Sequence, residues 1–539
     1  MSIRLSPLFS DGMILQRDTE LKIRGFCNPN EFVSVSFAGK TAAVKADENG
    51  FWQNTLGKFD ADCEPQSLII SSAGETVTIR DVLIGDVWLC SGQSNMELWL
   101  SRVCHNYPDE MSVVNPLIRQ LKVPQVYNFK APIDEFGLSE CEWKSFSPEN
   151  APDFTAAGYF FAKKLYERYK VPIGLLACAV GGTPVSAWMS RDMLKNGGYS
   201  DELSEADRCK DDDFIKNTIL AEEADTNDYH KRLNDSDEGL NQGWMNADFD
   251  DTEGWENVSL FAPLNKRGVY WYRKTLDIPE ELWGKKATIF IGTAIDMDEM
   301  FISGTGMERP EKIGETYYRY PPREYSFSLP AGKLTIAVRL LVFGNSGGFT
   351  KGKNCFIATD SRTIDIGNIG GTWKRRLGTE FESPEPQTFF SYKPTGLYNG
   401  MISPLFTTAL KGIIWYQGES DTGNPEPYAE KLTAMINGWR KSWGMSLPFL
   451  LTQLAYYDDT GNMDTEHLSF WDRLRERQKQ CLSLPDTGLA AAYDLGEHND
   501  LHPQNKRDIG ERLARLAMRV AYGENLPPNM FEMYNIKNK

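Results

Sequence analysis

The chain of 539 residues lacks several things, and each absence removes a class of function. Its nine cysteines (Cys27, Cys63, Cys90, Cys104, Cys141, Cys178, Cys209, Cys355 and Cys481) form no C-x-x-C pair. That argues against a local zinc or dithiol redox site, and a scattered odd number reads as mostly free thiols of a reducing compartment. No stretch of 18 apolar residues occurs, and the opening Met1 to Ser10 has no apolar core followed by a small-residue cleavage site. The expectation is a soluble cytoplasmic protein with no membrane partner, or a secreted one if a signal peptide has been trimmed away. Positive charge is also short: Lys+Arg 58 against Asp+Glu 75 gives a formal charge of -17. Such a chain repels phosphate backbones unless it concentrates its cations, and the one basic run, Lys374, Arg375 and Arg376, is short and isolated, so nucleic acid is excluded as a partner. Histidine is scarce as well, at five residues, which leaves few places for imidazole chemistry.

What is present is ordinary globular material, 41% hydrophobic and 25% charged, enough for several cores. Residues 1–80 alternate short strand-like runs (Phe32 to Phe37, Ser67 to Ile70, Thr76 to Ile79) with turns such as Asn49-Gly50, and predict an N-terminal β domain. From Asp81 to about 240, apolar strands such as Val87 to Cys90 and Ile173 to Val180 alternate with helical patterns, which predicts a parallel α/β sheet. The acidic stretch from about 195 to 240 reads as an exposed helical connection. Residues 241–385 return to strand patterns, for example Val269 to Leu276 and Leu334 to Val342, and predict a β-sandwich. The α/β rhythm resumes over 386–539, so the expected architecture is one α/β domain interrupted by an inserted β module.

In a parallel α/β sheet ligands bind beyond the carboxyl ends of the strands, so the informative residues follow each strand. Four loops stand out. In Cys90 to Glu97, Ser94 opens a helix with its hydroxyl near helix-terminal N–H groups, as a nucleophile needs, although an N-cap serine looks the same. Gly181 and Gly182 predict a tight turn that allows backbone N–H groups to approach a substrate oxygen closely, although a Gly-Gly turn that serves only geometry looks the same. Gln417 and Glu419 offer an amide and a carboxylate at a third strand end. Asp500 and His502 lie in a polar loop ahead of a helix whose apolar face includes Ile509, Leu513, Leu516 and Val520. A neutral imidazole there suits a general base near pH 7. His498 and His502 are spaced i, i+4, but Asn499 follows the first and Pro503 closes the loop, unlike the H-E-x-x-H metal pattern; no metal or cofactor is called for.

Together, Gly92-Gln93-Ser94-Asn95-Met96, Val180 to Thr183, Trp415 to Asp421 and Asp500 to Pro503 resemble the sialate O-acetylesterase family of SGNH-type hydrolases. Ser6 to Asp18 is similar to that family's N-terminal β domain. The middle segment, with Trp271 to Lys274, Asp296 to Asp298, Ile302 to Gly304 and Ser346 to Gly348, resembles a sugar-binding β-sandwich. The resemblance implies a serine esterase that removes O-acetyl groups from carbohydrates, sialic acid esters being the family expectation. Ser94 would attack the acetyl carbonyl and His502 would act as base, then acid. The oxyanion would be held by the N–H groups of Ser94 and of Gly181 or Gly182, and by the Gln417 amide. Gln93, Asn95, Trp188 and Glu419 are expected at the substrate, with specificity also near Trp99 and Tyr398. The wider pattern places an Asp three residues before the histidine; here Asn499 stands there and Asp500 follows, so either Asp500 or a backbone carbonyl orients His502. Acetylated xylan or mannan fragments remain alternative substrates, and a non-catalytic glycan-binding protein is an alternative of another class.

Overall fold

The computed structural model describes residues 2–317, 322–344, 347–367, 372–382, 384–458, 465–498 and 500–536. Ser346 and Asn499 of the motifs above lie outside the described residues, as does the His498 side chain. The fold is mixed α/β, with several sheets and helices.

The strand that organises the molecule is β1 (Glu75–Gly92). Its first half pairs antiparallel with the strand Asp62–Ser72, and its second half runs parallel to two later strands, Ile173–Ala179 and Gly412–Tyr416. Six strands are parallel to one another, in the spatial order β2 (Asn115–Lys122), β3 (Ile173–Ala179), β1, β4 (Gly412–Tyr416), β5 (Phe449–Thr452) and β6 (Thr487–Ala490). These strands are almost continuously buried, as expected when both faces of a parallel sheet are covered. The expected boundary near residue 80 falls inside β1, where Asp81 takes a left-handed φ of 56° within a bulge and the strand continues from the antiparallel pairing into the parallel one.

Helix α1 (Ser94–Glu97) follows β1 at once. On one face of the sheet, α2 (Ala156–Tyr169) packs against a helix near the C-terminus, Lys506–Val520. They approach closely at Gly510, where a Cβ would sit 2.6 Å from the Phe160 side chain. Thr155 caps α2 by accepting from the Gly158 N–H, and its hydroxyl donates to the Met96 carbonyl, which ties α2 to α1. The polar stretch near 195–240 is helical, as expected, and most of it is the long exposed helix α3 (Asp212–Ser236). The other face carries α4 (Tyr428–Trp443), whose Leu432, Met435, Ile436 and Trp439 are buried among Trp188, Trp415 and Phe449. The C-terminal helix Lys506–Val520 is called α5 below.

Between β3 and β4 in sequence lies a second layered unit. A six-stranded sheet containing Gly268–Asp277 and Lys333–Val342 and a four-stranded sheet containing Lys286–Ile291 contribute to one apolar core. Alternation decides the facing: in Lys286–Ile291, Ala287, Ile289 and Ile291 point inward and the residues between them do not. Ile302 to Gly304 end one strand of a hairpin that pairs Met297–Gly304 with Glu311–Thr316.

Candidate active site

Three of the four strand-end loops leave adjacent strands. β3 and β4 flank β1, so the turns after Ala179, Gly92 and Tyr416 meet at the point where the strand order reverses, which is where open α/β sheets bind ligands. Two glycines make the approach possible. Gly92, at φ +135°, leaves no room for a Cβ, which would lie 2.1 Å from the Tyr416 carbonyl oxygen. Gly418, at φ +150°, would place one 2.7 Å from the Leu474 side chain. Ser94 is half-buried at the first position of α1, and a Cβ on Gly181 would be 3.4 Å from the Ser94 Cβ, so these two turns touch.

The fourth loop is brought in by Asn95. Its amide nitrogen donates to the Leu501 carbonyl at 3.0 Å and to Glu419 Oε1 at 2.6 Å, and its Oδ1 accepts from Lys506 Nζ at 2.7 Å. Lys506 also donates to the Pro503 carbonyl at 2.7 Å. Leu501 and Pro503 flank His502, so the residue after Ser94 is bonded to the segment holding the histidine. The Asp500 carboxylate is fully buried. Its Oδ1 accepts the His502 backbone N–H at 2.9 Å, and its Oδ2 accepts from Lys353 Nζ, of the loop after Gly348–Phe349, at 3.0 Å. Lys353 also binds Glu497.

Several expected roles change once side-chain directions are known. Trp188, expected at the substrate, is 0% exposed: it stands edge-on to Trp415 and donates to Thr183 Oγ1, as part of the core. Gln93 and Asn95, also expected there, are 1% and 2% exposed. Gln93 Oε1 accepts the N–H groups of Gly418 and Ser420, so it shapes the third loop. The Gln417 amide, expected to hold an oxyanion, spends its two N–H bonds on the Thr183 carbonyl and Asp421 Oδ2, while Tyr428 donates to its Oε1. The Gly181 N–H is taken by Glu97 Oε2 at 2.7 Å. Among the described residues, the N–H groups of Ser94 and Gly182 have no acceptor. Glu419 is half-buried, with Oε1 held by Asn95 and Oε2 buried without a partner among the described residues.

Burial dominates the electrostatics. It drives the His502 imidazole down to about 3, helped by the cations Lys506 and Arg102, so the ring is neutral at ordinary pH. It brings Lys506 down to about 8 against the pull of Asp500, Glu419 and Glu497, and it raises Glu419 and Asp500 above the usual carboxylate range. Sequence reasoning missed Lys506, Lys353, Arg102 and Tyr392, whose hydroxyl would be 1.9 Å from a Cβ on Gly182. Only Lys506 left a local signal: a cation in the first turn of a helix opposes the helix dipole and needs another reason to be there.

The arrangement suits acyl transfer: a half-buried serine, a neutral imidazole and two N–H groups uncommitted among the described residues, at adjoining strand ends. Human sialate O-acetylesterase is 28% identical over 219 residues, covering 37% of this chain and 41% of the relative. The mouse sialate O-acetylesterase is 28% identical over 226 residues, covering 38% and 41%. The match thus spans about two fifths of the length of these curated relatives. A crystal structure of a carbohydrate acetylesterase from Xanthomonas citri aligns with 97% of this chain and 76% of its own, at 28% identity and a TM-score of 0.58. The model of the carbohydrate esterase family of sialic acid-specific acetylesterases matches residues 84–228 and 378–519, on either side of the sandwich. That is more than half of the sequence, and the chain belongs to this family.

Proposed function

We propose that the chain is a serine esterase that removes O-acetyl groups from carbohydrates, built on an SGNH-type hydrolase sheet with an N-terminal β domain and a β-sandwich inserted into it. The observation that carries the reading is the bond between Asn95 and the Leu501 carbonyl, which joins the residue after Ser94 to the residue before His502. Ser94 Oγ attacks the acetyl carbonyl carbon while His502 takes its proton. The tetrahedral oxyanion is held by the Ser94 and Gly182 N–H groups, each worth roughly 3 kcal/mol at the transition state. His502 returns the proton to the departing sugar oxygen, leaving an acetyl-serine. Water, deprotonated by the same ring, then releases acetate. Asp500, bonded to the His502 backbone, keeps the ring in place.

Acetylated sialic acid is the favoured substrate. Arg102 follows the nucleophile helix, has a buried Nε without a hydrogen-bond partner among the described residues, and contributes to the field at His502. It is the cation an anionic sugar requires in a chain of formal charge -17. The test is acetate release from O-acetylated sialic acid and from acetylated xylo-oligosaccharides by the wild type, Ser94→Ala and Arg102→Ala. Ser94→Ala is expected to be inactive on both. Arg102→Ala is expected to raise KM about tenfold for the sialic acid ester alone. Undiminished hydrolysis by Ser94→Ala would refute the mechanism, and equal effects of Arg102→Ala on both sugars would refute the substrate preference.

A further inference from the structure

Lys506 is a buried ammonium, 1% exposed, at the start of α5, where the positive end of the helix dipole disfavours it. Burying such a charge is costly unless other contacts hold it. Its described hydrogen bonds go to two neutral oxygens, Asn95 Oδ1 and the Pro503 carbonyl, both at 2.7 Å. Asn95, 411 positions earlier in the chain, in turn holds the Leu501 carbonyl at 3.0 Å and Glu419 Oε1 at 2.6 Å. The carbonyls on both sides of His502 are therefore held by one pair of side chains, and one member of that pair is the neighbour of Ser94. Glu419 adds the third strand-end loop to the same cluster.

We propose that Lys506 is a positioning residue of the esterase site: through Asn95 and the Pro503 carbonyl it ties the turn of Ser94 to the loop of His502 and sets the geometry between hydroxyl and imidazole. The inference rests on the proposed acetylesterase reading. It differs from a purely structural role in one respect, because the ammonium also acts on the ring through space. The charged groups facing Lys506 are Glu419, Asp500 and Glu497, and those facing His502 are Lys506 and Arg102. Lys353 lies between Asp500 and Glu497 and offsets their charge. A cation near an imidazole favours its neutral form, so removing Lys506 lets the ring take a proton at higher pH. The acid limb of the rate profile then moves upward.

The experiment measures kcat and KM for p-nitrophenyl acetate across pH for the wild type, Lys506→Met and Lys506→Arg, with fluorophosphonate labelling to count reactive sites and NMR titration of the His502 ring. Lys506→Met is expected to lower kcat per reactive site by about 100-fold, the scale of a misplacement near 1 Å, with KM little changed. Its acid limb should move up by about one pH unit. Lys506→Arg, which keeps charge and donors, should recover most of the rate and restore the wild-type limb. A lower Tm and fewer reactive sites, with kcat per site and the acid limb both unchanged, would overturn the proposal. Should Lys506→Met fail to fold, Lys506→Gln, which keeps a donor and drops the charge, is subject to the same criterion. NMR reads the coupling without turnover: a His502 midpoint at higher pH in the variant supports the proposal, and an unmoved midpoint overturns it. A wild-type chain without esterase activity would instead sink the proposed function, and the titration would still decide whether Lys506 governs His502.

Discussion

Two of the buried charge clusters among the described residues are built to opposite ends. In the sandwich, Asp298 and Arg323 are both wholly inside, with Nε and Oδ1 2.6 Å apart, and Tyr325 adds a hydroxyl to the carboxylate. Nearby, Arg339 makes bonds of 2.7 Å to Asp237, Glu299 and Asn234. At the ends of the parallel strands the saturation is incomplete. Glu419 keeps a buried oxygen with no partner among the described residues, Lys506 bonds to neutral oxygens, and the Ser94 and Gly182 N–H groups are uncommitted. A structural cluster satisfies its members and fixes a shape. An active site leaves capacity for charge that develops only during reaction.

The contrast is broken most severely by His502→Ala. It should cost about three to four orders of magnitude in kcat while Tm hardly moves, and a surviving rate within tenfold of wild type would remove His502 from the mechanism. Asp298→Ala should do the reverse. Withdrawing the carboxylate from a buried guanidinium is expected to cost about 3–5 kcal/mol in denaturant unfolding, with kcat of the folded protein within a factor of two. If activity fell with stability intact, the sandwich cluster would belong to the site. Asp500→Ala lies between the two. It releases the His502 backbone and the Lys353 ammonium together, and should lower kcat by about 10- to 100-fold. Full turnover would leave the imidazole oriented by backbone alone.

The smallest effect sharpens the comparison through pH. The His502 pKa in the folded chain lies below its ordinary 6.5, so below that pH the unfolded chain takes up a proton that the folded chain refuses. The stabilisation due to the neutral ring is complete above 6.5 and is lost as pH falls toward the folded value. Unfolding free energy between pH 6.5 and about pH 4 should therefore drop more steeply for the wild type than for His502→Gln. Parallel curves would mean that water reaches the ring.

Much of the plan was legible in the residues because strand-end motifs are local. A buried apolar run followed by a glycine turn marks the end of a parallel strand wherever it occurs, and the turns holding Ser94, Gly181, Gly182 and Gln417 were read that way, whereas His502 was singled out by the scarcity of histidine. The sequence shows at Asp81 only a change of rhythm, and the structure makes that residue a bulge inside one continuous strand. Gln93, Asn95 and Trp188 were given to the substrate because polarity beside a nucleophile says nothing about which way a side chain points. All three point inward.

The sequence by itself determined the mixed α/β class of fold and the order of the four loops, since hydrophobic period and turn composition act over a few residues. Only the tertiary structure decided which donors remain free and what holds the histidine. Asn95 and Lys506 meet across 411 residues, and Lys353 reaches Asp500 across 147. Contacts of that span depend on how the sheet brings its strand ends together, and no local pattern encodes them.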